Sequence, residues 1–110
     1  MIHWEDFEKI DMRVGTILSC EVFAEAKKPA YKLEVDFGGI IGVKKSSAQI
    51  TQLYETSDLV GMQVIGVVNF PPKQIGPLMS ECLVMGIYNE QNEVVLISPE
   101  RNVSNGSKIG

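Results

Sequence analysis

The stretch YKLEVDFGGIIGVKKSSAQITQLYE, from Tyr31 to Glu55, decides how the chain folds. Leu33, Val35 and Phe37 alternate with Lys32, Glu34 and Asp36, the period of two that turns one face of a strand inward and the other to water. Gly38-Gly39 follows, and then Ile40, Ile41 and Val43 supply a further apolar run. Two glycines between two such runs predict a two-residue hairpin, because the primed turns need positive φ. Beyond Lys44-Lys45, the tetrad Ser46-Ser47-Ala48-Gln49 matches a capping box with Ser46 as N-cap and Gln49 at N3. Ile50, Leu53 and Tyr54 then form the apolar stripe of a two-turn helix.

Upstream, Trp4, Phe7 and Ile10 recur at helical spacing, with acids in the first turn where the helix dipole favours them. From Met12 the period becomes two. Met12, Val14, Thr16, Leu18, Cys20 and Val22 share one face of a long strand, and Gly15 is a candidate bulge within it. Downstream, Met62 to Phe70, Leu83 to Tyr88 and Val94 to Ile97 read as strands; Asn89 to Asn92 joins the last two, and Asn105-Gly106 marks a final turn. Asn69 to Met79 reads as a loop, entered through Pro71-Pro72. The expected class is therefore all-β. A five-stranded barrel with a short helix between strands three and four is the OB-fold arrangement, here with a short N-terminal helix and a C-terminal extension. No repeat or linker divides residues 1–110, so one domain is expected.

At 110 residues the chain has room for one hydrophobic core, and 45% hydrophobic against 22% charged residues argues against disorder. A net charge of -4 disfavours non-specific coating of nucleic acid, which needs a basic face. Cys20 and Cys82 make no disulfide framework and no zinc motif; reduced, buried thiols in a cytoplasmic protein are expected. Glu5, Asp6 and Glu8 stand where a secretory signal carries positive charge, and the apolar run from Val64 to Phe70 is far short of a membrane span. His3 is the sole histidine and has no nucleophile, metal cluster or phosphate loop around it; GGIIG (Gly38 to Gly42) lacks dinucleotide-binding spacing. No enzyme activity, metal or cofactor is expected.

Two patterns bear on partners. VIGVV (Val64 to Val68), LVMGI (Leu83 to Ile87) and VVLI (Val94 to Ile97) are apolar on both faces, so something must cover the outer one. Either the N-terminal helix does so or a homodimer interface does, and the extent of the run favours the dimer. Residues 27 to 45 carry Lys27, Lys28, Lys32, Lys44 and Lys45 against Glu34 and Asp36, half of the chain's positive charge in about a sixth of its length. These lysines read either as a solvated face or as a landing site for RNA phosphates or an acidic partner. Phe70, Ile75, Leu78 and Met79 place apolar side chains in a loop, which either packs on the barrel end or accepts apolar segments of another polypeptide.

DFEKIDMRVGTI (Asp6 to Ile17), KPAYKLEVDFG (Lys28 to Gly38), SSAQIT (Ser46 to Thr51) and VVNFPPKQIG (Val67 to Gly76) closely resemble the CsaA family in order and spacing. Ser80-Glu81 and the closing VSNGSKIG (Val103 to Gly110) extend the resemblance over nearly the whole chain. That family is similar to the tRNA-binding domains appended to methionyl-tRNA synthetases. The resemblance implies a homodimeric OB-fold protein with chaperone-like activity toward unfolded preproteins, and ties to the SecA export motor. Phe70, Pro71, Pro72, Ile75, Leu78 and Met79 would then form an apolar lip for polypeptide, with Phe23 and Tyr31 beside it. Arg13, Lys28, Lys32, Lys44, Lys45 and Lys73 would attract acidic partners or RNA. In the alternative, a tRNA-binding protein, Asn69 and Ser80 would also hydrogen-bond the sugar-phosphate chain. FAEAKKPAYKL (Phe23 to Leu33) stands where synthetase-type domains carry H-P-x-A-D-K-L, and Cys82-Leu83 replaces the Gly-Met of their S-x-G-M pattern. Both departures favour the CsaA branch.

Overall fold

Alternating apolar residues become strands, and pairing between distant segments decides where each strand stops. The computed structural model describes residues 1–110. In chain order the elements are α1 (Trp4–Glu8), β1 (Met12–Val22), β2 (Tyr31–Asp36), the helical turn α2 (Gly38–Ile41), β3 (Val43–Ala48), α3 (Thr56–Leu59) and β4 (Gln63–Val67). The hairpin β5 (Lys73–Ile75) and β6 (Leu78–Ser80) follows, then β7 (Leu83–Val84), β8 (Gly86–Tyr88) and β9 (Val94–Leu96).

Five antiparallel strands form one sheet in the order β3-β2-β1-β4-β7. Its two outer strands are drawn together beside β7: Glu81 N–H donates to the Lys45 carbonyl at 2.7 Å, and Ser46 Oγ donates to the Cys82 carbonyl at 3.0 Å. The result is a nearly closed barrel with α3 between β3 and β4, as the OB-fold reading expects. Ile17, Leu33, Val35, Phe37, Leu59 and Val64 fill its interior.

A second cluster lies on the outside of the same sheet. Met12, Val14, Ile65 and Val67 are buried there beneath Phe7, Met85, Ile97 and Ile109. This accounts for strands that are apolar on both faces: the chain's own termini and the segment after β7 cover one patch of the outer surface. Each such side chain contributes roughly 1.5–3 kcal/mol when fully removed from water.

Several local expectations give way to tertiary demands. The irregularity in β1 is at Leu18, not Gly15, because register shifts between the pairs Ile17–Val35 and Ser19–Glu34. The extra residue lets Ile17 and Cys20, three positions apart, both face the interior pair Val35 and Leu33, and leaves Leu18 exposed. Gly15 serves close packing instead: a Cβ there would sit 2.6 Å from Val35 Cγ1 and 2.8 Å from the Phe37 ring. The hairpin after β2 is longer than two residues. Pairing ends at Asp36–Val43, so Phe37 can enter the core, and Gly38 and Gly42, with φ of 89° and 86°, bracket the turn α2. Ile40 and Ile41 therefore lie outside any strand.

Ser46 is no helix cap. It continues β3 opposite Leu33, and its hydroxyl is spent on the Cys82 carbonyl. The helix starts later, where the Glu55 N–H donates to Asp58 Oδ2 at 2.9 Å. Leu83 to Tyr88 is broken at Met85, whose N–H bonds Ile65 and whose carbonyl accepts from Ile97, carrying the chain from β4 to β9. The Asn69–Met79 segment is not a plain loop, because Lys73–Ser80, Gln74–Met79 and Ile75–Leu78 pair as a hairpin.

Candidate functional site

The barrel end between the β1–β2 loop and the β5–β6 hairpin is concave, and three hollows meet there at Ser47. In an OB-fold, this is where the loops beside strands two and three take ligands. One hollow, of about 430 Å³, is lined by Phe70, Pro71, Ile75, Ser80, Cys82 and Leu83, with Lys73 and Glu81 as its two charges. A second, of about 440 Å³, runs along Ser47 to Ile50 against Leu83, Val84, Tyr88 and Val94, and no charged side chain lines it. The third, of about 610 Å³, has Lys27, Lys28 and Lys73 on its walls against Glu25 alone. The groove thus grades from apolar to basic.

The hairpin's pleat decides which of its side chains belong. Lys73, Ile75, Leu78 and Ser80 share one face, and Gln74 and Met79 the other. Phe70, 55% exposed, stands at the rim where two prolines stop β4 from continuing. Leu83, 51% exposed, forms the opposite wall.

Of the expected lip, Phe70, Pro71 and Ile75 come together in the groove. Leu78 opens instead on a small hollow of about 160 Å³ with Lys32 and Lys45, Met79 faces away, and Pro72 is exposed outside the groove lining. Phe23 and Tyr31 are corrections. Phe23 is 2% exposed, lies under Gly76, and carries Lys32 Nζ 5.8 Å above its ring. Tyr31 is buried, and its hydroxyl donates to the Tyr54 carbonyl at 2.6 Å. Both aromatic rings are used in packing the loop and helix onto the barrel, so neither presents surface to a ligand.

The polar candidates divide the same way. Lys28 and Lys73 are exposed on the groove walls. Lys32 and Lys45 lie diagonally on the outer sheet face, interleaved with Glu21 and Glu34, so that patch is charge-balanced. Lys44 points to the other face, opposite Val35. Arg13 is already committed: its Nε meets Asp11 Oδ1 at 2.6 Å and its Nη1 donates to the Gly106 carbonyl. Asn69 is too, since its Oδ1 accepts from Asp11 N–H and its Nδ2 donates to the Lys9 carbonyl. It pins α1 to the end of β4. Ser80 lines the groove, its Oγ 3.4 Å from both the Ser47 amide and the Cys82 carbonyl.

Sequence reasoning missed Ser47, Gln49, Leu83 and Tyr88. Ser47 and Gln49 were hidden by the helix reading, and their alternation with buried Ser46, Ala48 and Ile50 was the available signal. Cys82 forms part of the floor; burial first, then the Glu81 charge, raise its thiol pKa to about 11 against the opposing pull of Ser46 and Lys44.

A family model described as "Putative tRNA binding domain" matches residues 12–108, which include the whole groove. The chain belongs to this tRNA-binding domain family. It is 50% identical to the CsaA chaperone protein of Picrophilus torridus, with a TM-score of 0.95 and both chains covered in full. It is 48% identical to the chaperone CsaA of Bacillus anthracis, with a TM-score of 0.93, covering 100% of this chain and 99% of that one. Similarity extends to methionine–tRNA ligase of Bacteroides fragilis, 31% identical over 108 residues, or 98% of this chain. The chain spans only 16% of that ligase's length. The family resemblance read from the motifs is thus confirmed on both its sides.

Proposed function

We propose that the chain is a CsaA-type chaperone that holds unfolded polypeptide segments in the groove and catalyses no reaction. The observation that carries this reading is the groove itself, with Phe70, Pro71 and Leu83 exposed and Ile75 half-buried between two loops. Apolar side chains held there by the hairpin, β7 and the two prolines bind a client by removing its apolar surface from water, which needs no particular client sequence. Half identity to a CsaA chaperone over the full chain supports it. In the finer reading, residues 1–110 act as one cytoplasmic domain, as a homodimer, on preproteins bound for SecA-dependent export.

The test is suppression of aggregation of a chemically unfolded protein, followed by light scattering at low and high salt. Apolar capture persists at high salt, whereas attraction by lysines is screened. Leu83→Ser should weaken protection at both salts while melting like the wild type, because Leu83 is half-exposed. Full protection by a Leu83→Ser, Phe70→Ser double variant overturns this reading.

The basic end of the groove and the family match favour tRNA binding as the second reading. In that case, Lys28→Ala and Lys73→Ala should each reduce the slope of log affinity against log salt by about one. Arg13→Ala should leave the slope unchanged, since its guanidinium is held by Asp11 and Gly106. Nanomolar tRNA affinity near physiological salt would make this reading primary.

A further inference from the structure

The ladder geometry leaves backbone edges open on the groove. An antiparallel strand turns the N–H and C=O groups of successive residues alternately to its two sides. In β3, Lys45 gives the phase: its N–H donates to Glu81 Oε1 at 3.0 Å and its carbonyl accepts from Glu81 N–H at 2.7 Å, both away from β2. Two residues on, the Ser47 N–H reaches Ser80 Oγ only at 3.4 Å. One residue beyond the end of β3, the Gln49 N–H and carbonyl have no hydrogen-bond partner in the chain. On the facing wall, Val84 lies opposite Gly66, and the next residue, Met85, donates its N–H to Ile65. The Val84 backbone groups therefore point away from β4, towards β3. Ser47, Gln49, Leu83 and Val84 line one hollow of about 440 Å³.

We propose that the groove takes its client as an extended strand, hydrogen-bonded to the backbone of Gln49, the residue that follows β3. Its apolar side chains lie against Leu83 and Tyr88, and an adjoining acidic segment lies over Lys27, Lys28 and Lys73. An open strand edge is a template for such addition. Main-chain bonds are common to all clients, so they supply affinity without sequence preference, while the apolar walls supply the rest. The charge grading fixes the chemistry of the occupant. No charged residue lines the Leu83–Tyr88 hollow, and three lysines face one glutamate in the Lys28 hollow. This proposal rests on the polypeptide reading above and specifies how the polypeptide is held.

Binding of a fluorescein-labelled decapeptide of alternating leucine and serine, with two aspartates at one end, tests it by anisotropy. Two further peptides carry N-methyl groups on its odd or its even amides, and a fourth has lysines in place of the aspartates. A strand bonded on one edge presents only one set of amides to the protein. One methylated set should therefore lose about tenfold in affinity for each blocked bond, and the other should bind like the parent. The lysine peptide should bind several-fold more weakly at low salt, with the difference gone at high salt. Gln49→Pro removes the amide donor without breaking a bond of the fold, and should weaken the parent peptide while leaving the melting temperature unchanged. If it misfolds, the methylated peptides decide with the wild-type chain. If both methylated sets bind like the parent, strand addition is overturned while polypeptide binding stands. If no peptide binds and the chain protects no client, the polypeptide reading falls and this proposal with it.

Discussion

Phe37 is 1% exposed and lies against two glycines, and its surroundings give the plainest test at the scale of single residues. A Cβ on Gly66 would sit 2.6 Å from Phe37 Cζ, and one on Gly15 would press the same ring at 2.8 Å. Both glycines face the barrel interior from adjacent strands, so a methyl on either meets the ring. Gly66→Ala should cost roughly 1–3 kcal/mol by overpacking. A urea melt checks this; an unchanged midpoint would show that the ring has room. The thiols make a second test. Burial, with Glu21 adding for Cys20 and Glu81 for Cys82, raises both to about 11 from an ordinary value of 9.0. The unfolded chain then loses these protons first as pH rises, so the folded state binds more protons and stability falls with pH. Their contribution is complete below pH 9 and is lost as pH rises to about 11. Chemical melts from pH 7 upward should show this decline, and Cys82→Ala should make it shallower. A decline identical in the variant would assign it elsewhere, with Tyr31, whose pKa burial also raises, the next group to replace.

At the scale of elements, the β5–β6 hairpin separates side chains that the sequence presents as one apolar run. Ile75 faces the groove and Met79 the opposite side. Ile75→Ser should therefore weaken client protection severalfold, while Met79→Ser should leave it near wild type, with matched melts for both. Equal losses would mean that the hairpin's pleat does not govern the site. Element boundaries were legible where alternation was local, as at β1 (Met12–Val22) and β9 (Val94–Leu96). They were not legible at Ser46 to Gln49. Those four residues satisfy a helix cap equally well, and only β2 and the Cys82 carbonyl, 36 residues away, draw Ser46 into a strand.

For the whole molecule, the outer apolar face is the open matter. The cluster of Met12, Val14, Ile65 and Val67 is covered from within the chain, which removes part of the reason for expecting a dimer. Trp4, Ile87, Tyr88 and Val95 remain exposed, Tyr88 at 73%. The homodimer proposal predicts a species of about twice the 12.1 kDa chain mass in light scattering at micromolar concentration. A 12.1 kDa species at all concentrations would reject it. Charge behaves differently at this scale than in the sequence. The lysine-rich stretch from residue 27 to 45 folds onto two faces, and only Lys27 and Lys28 of it reach the groove, where Lys73 joins them from a distant strand.

The sequence by itself determined the barrel class, because period-two alternation along most strands is a local property, while tertiary pairing moved the helix to Thr56–Leu59 and lengthened the hairpin after β2. It also determined the family, since four separated motifs agree in order with relatives that share the fold. Only the tertiary structure decided the site. Whether an apolar side chain is lip or core depends on what lies above it, and Gly76 covers Phe23 while Phe70 stays more than half exposed. Whether a polar group is free depends on partners far along the chain, as Asn69 and Arg13 show. The open edge at Gln49 is likewise a property of pairing, because a backbone group is unpaired only when every strand that might reach it has been placed.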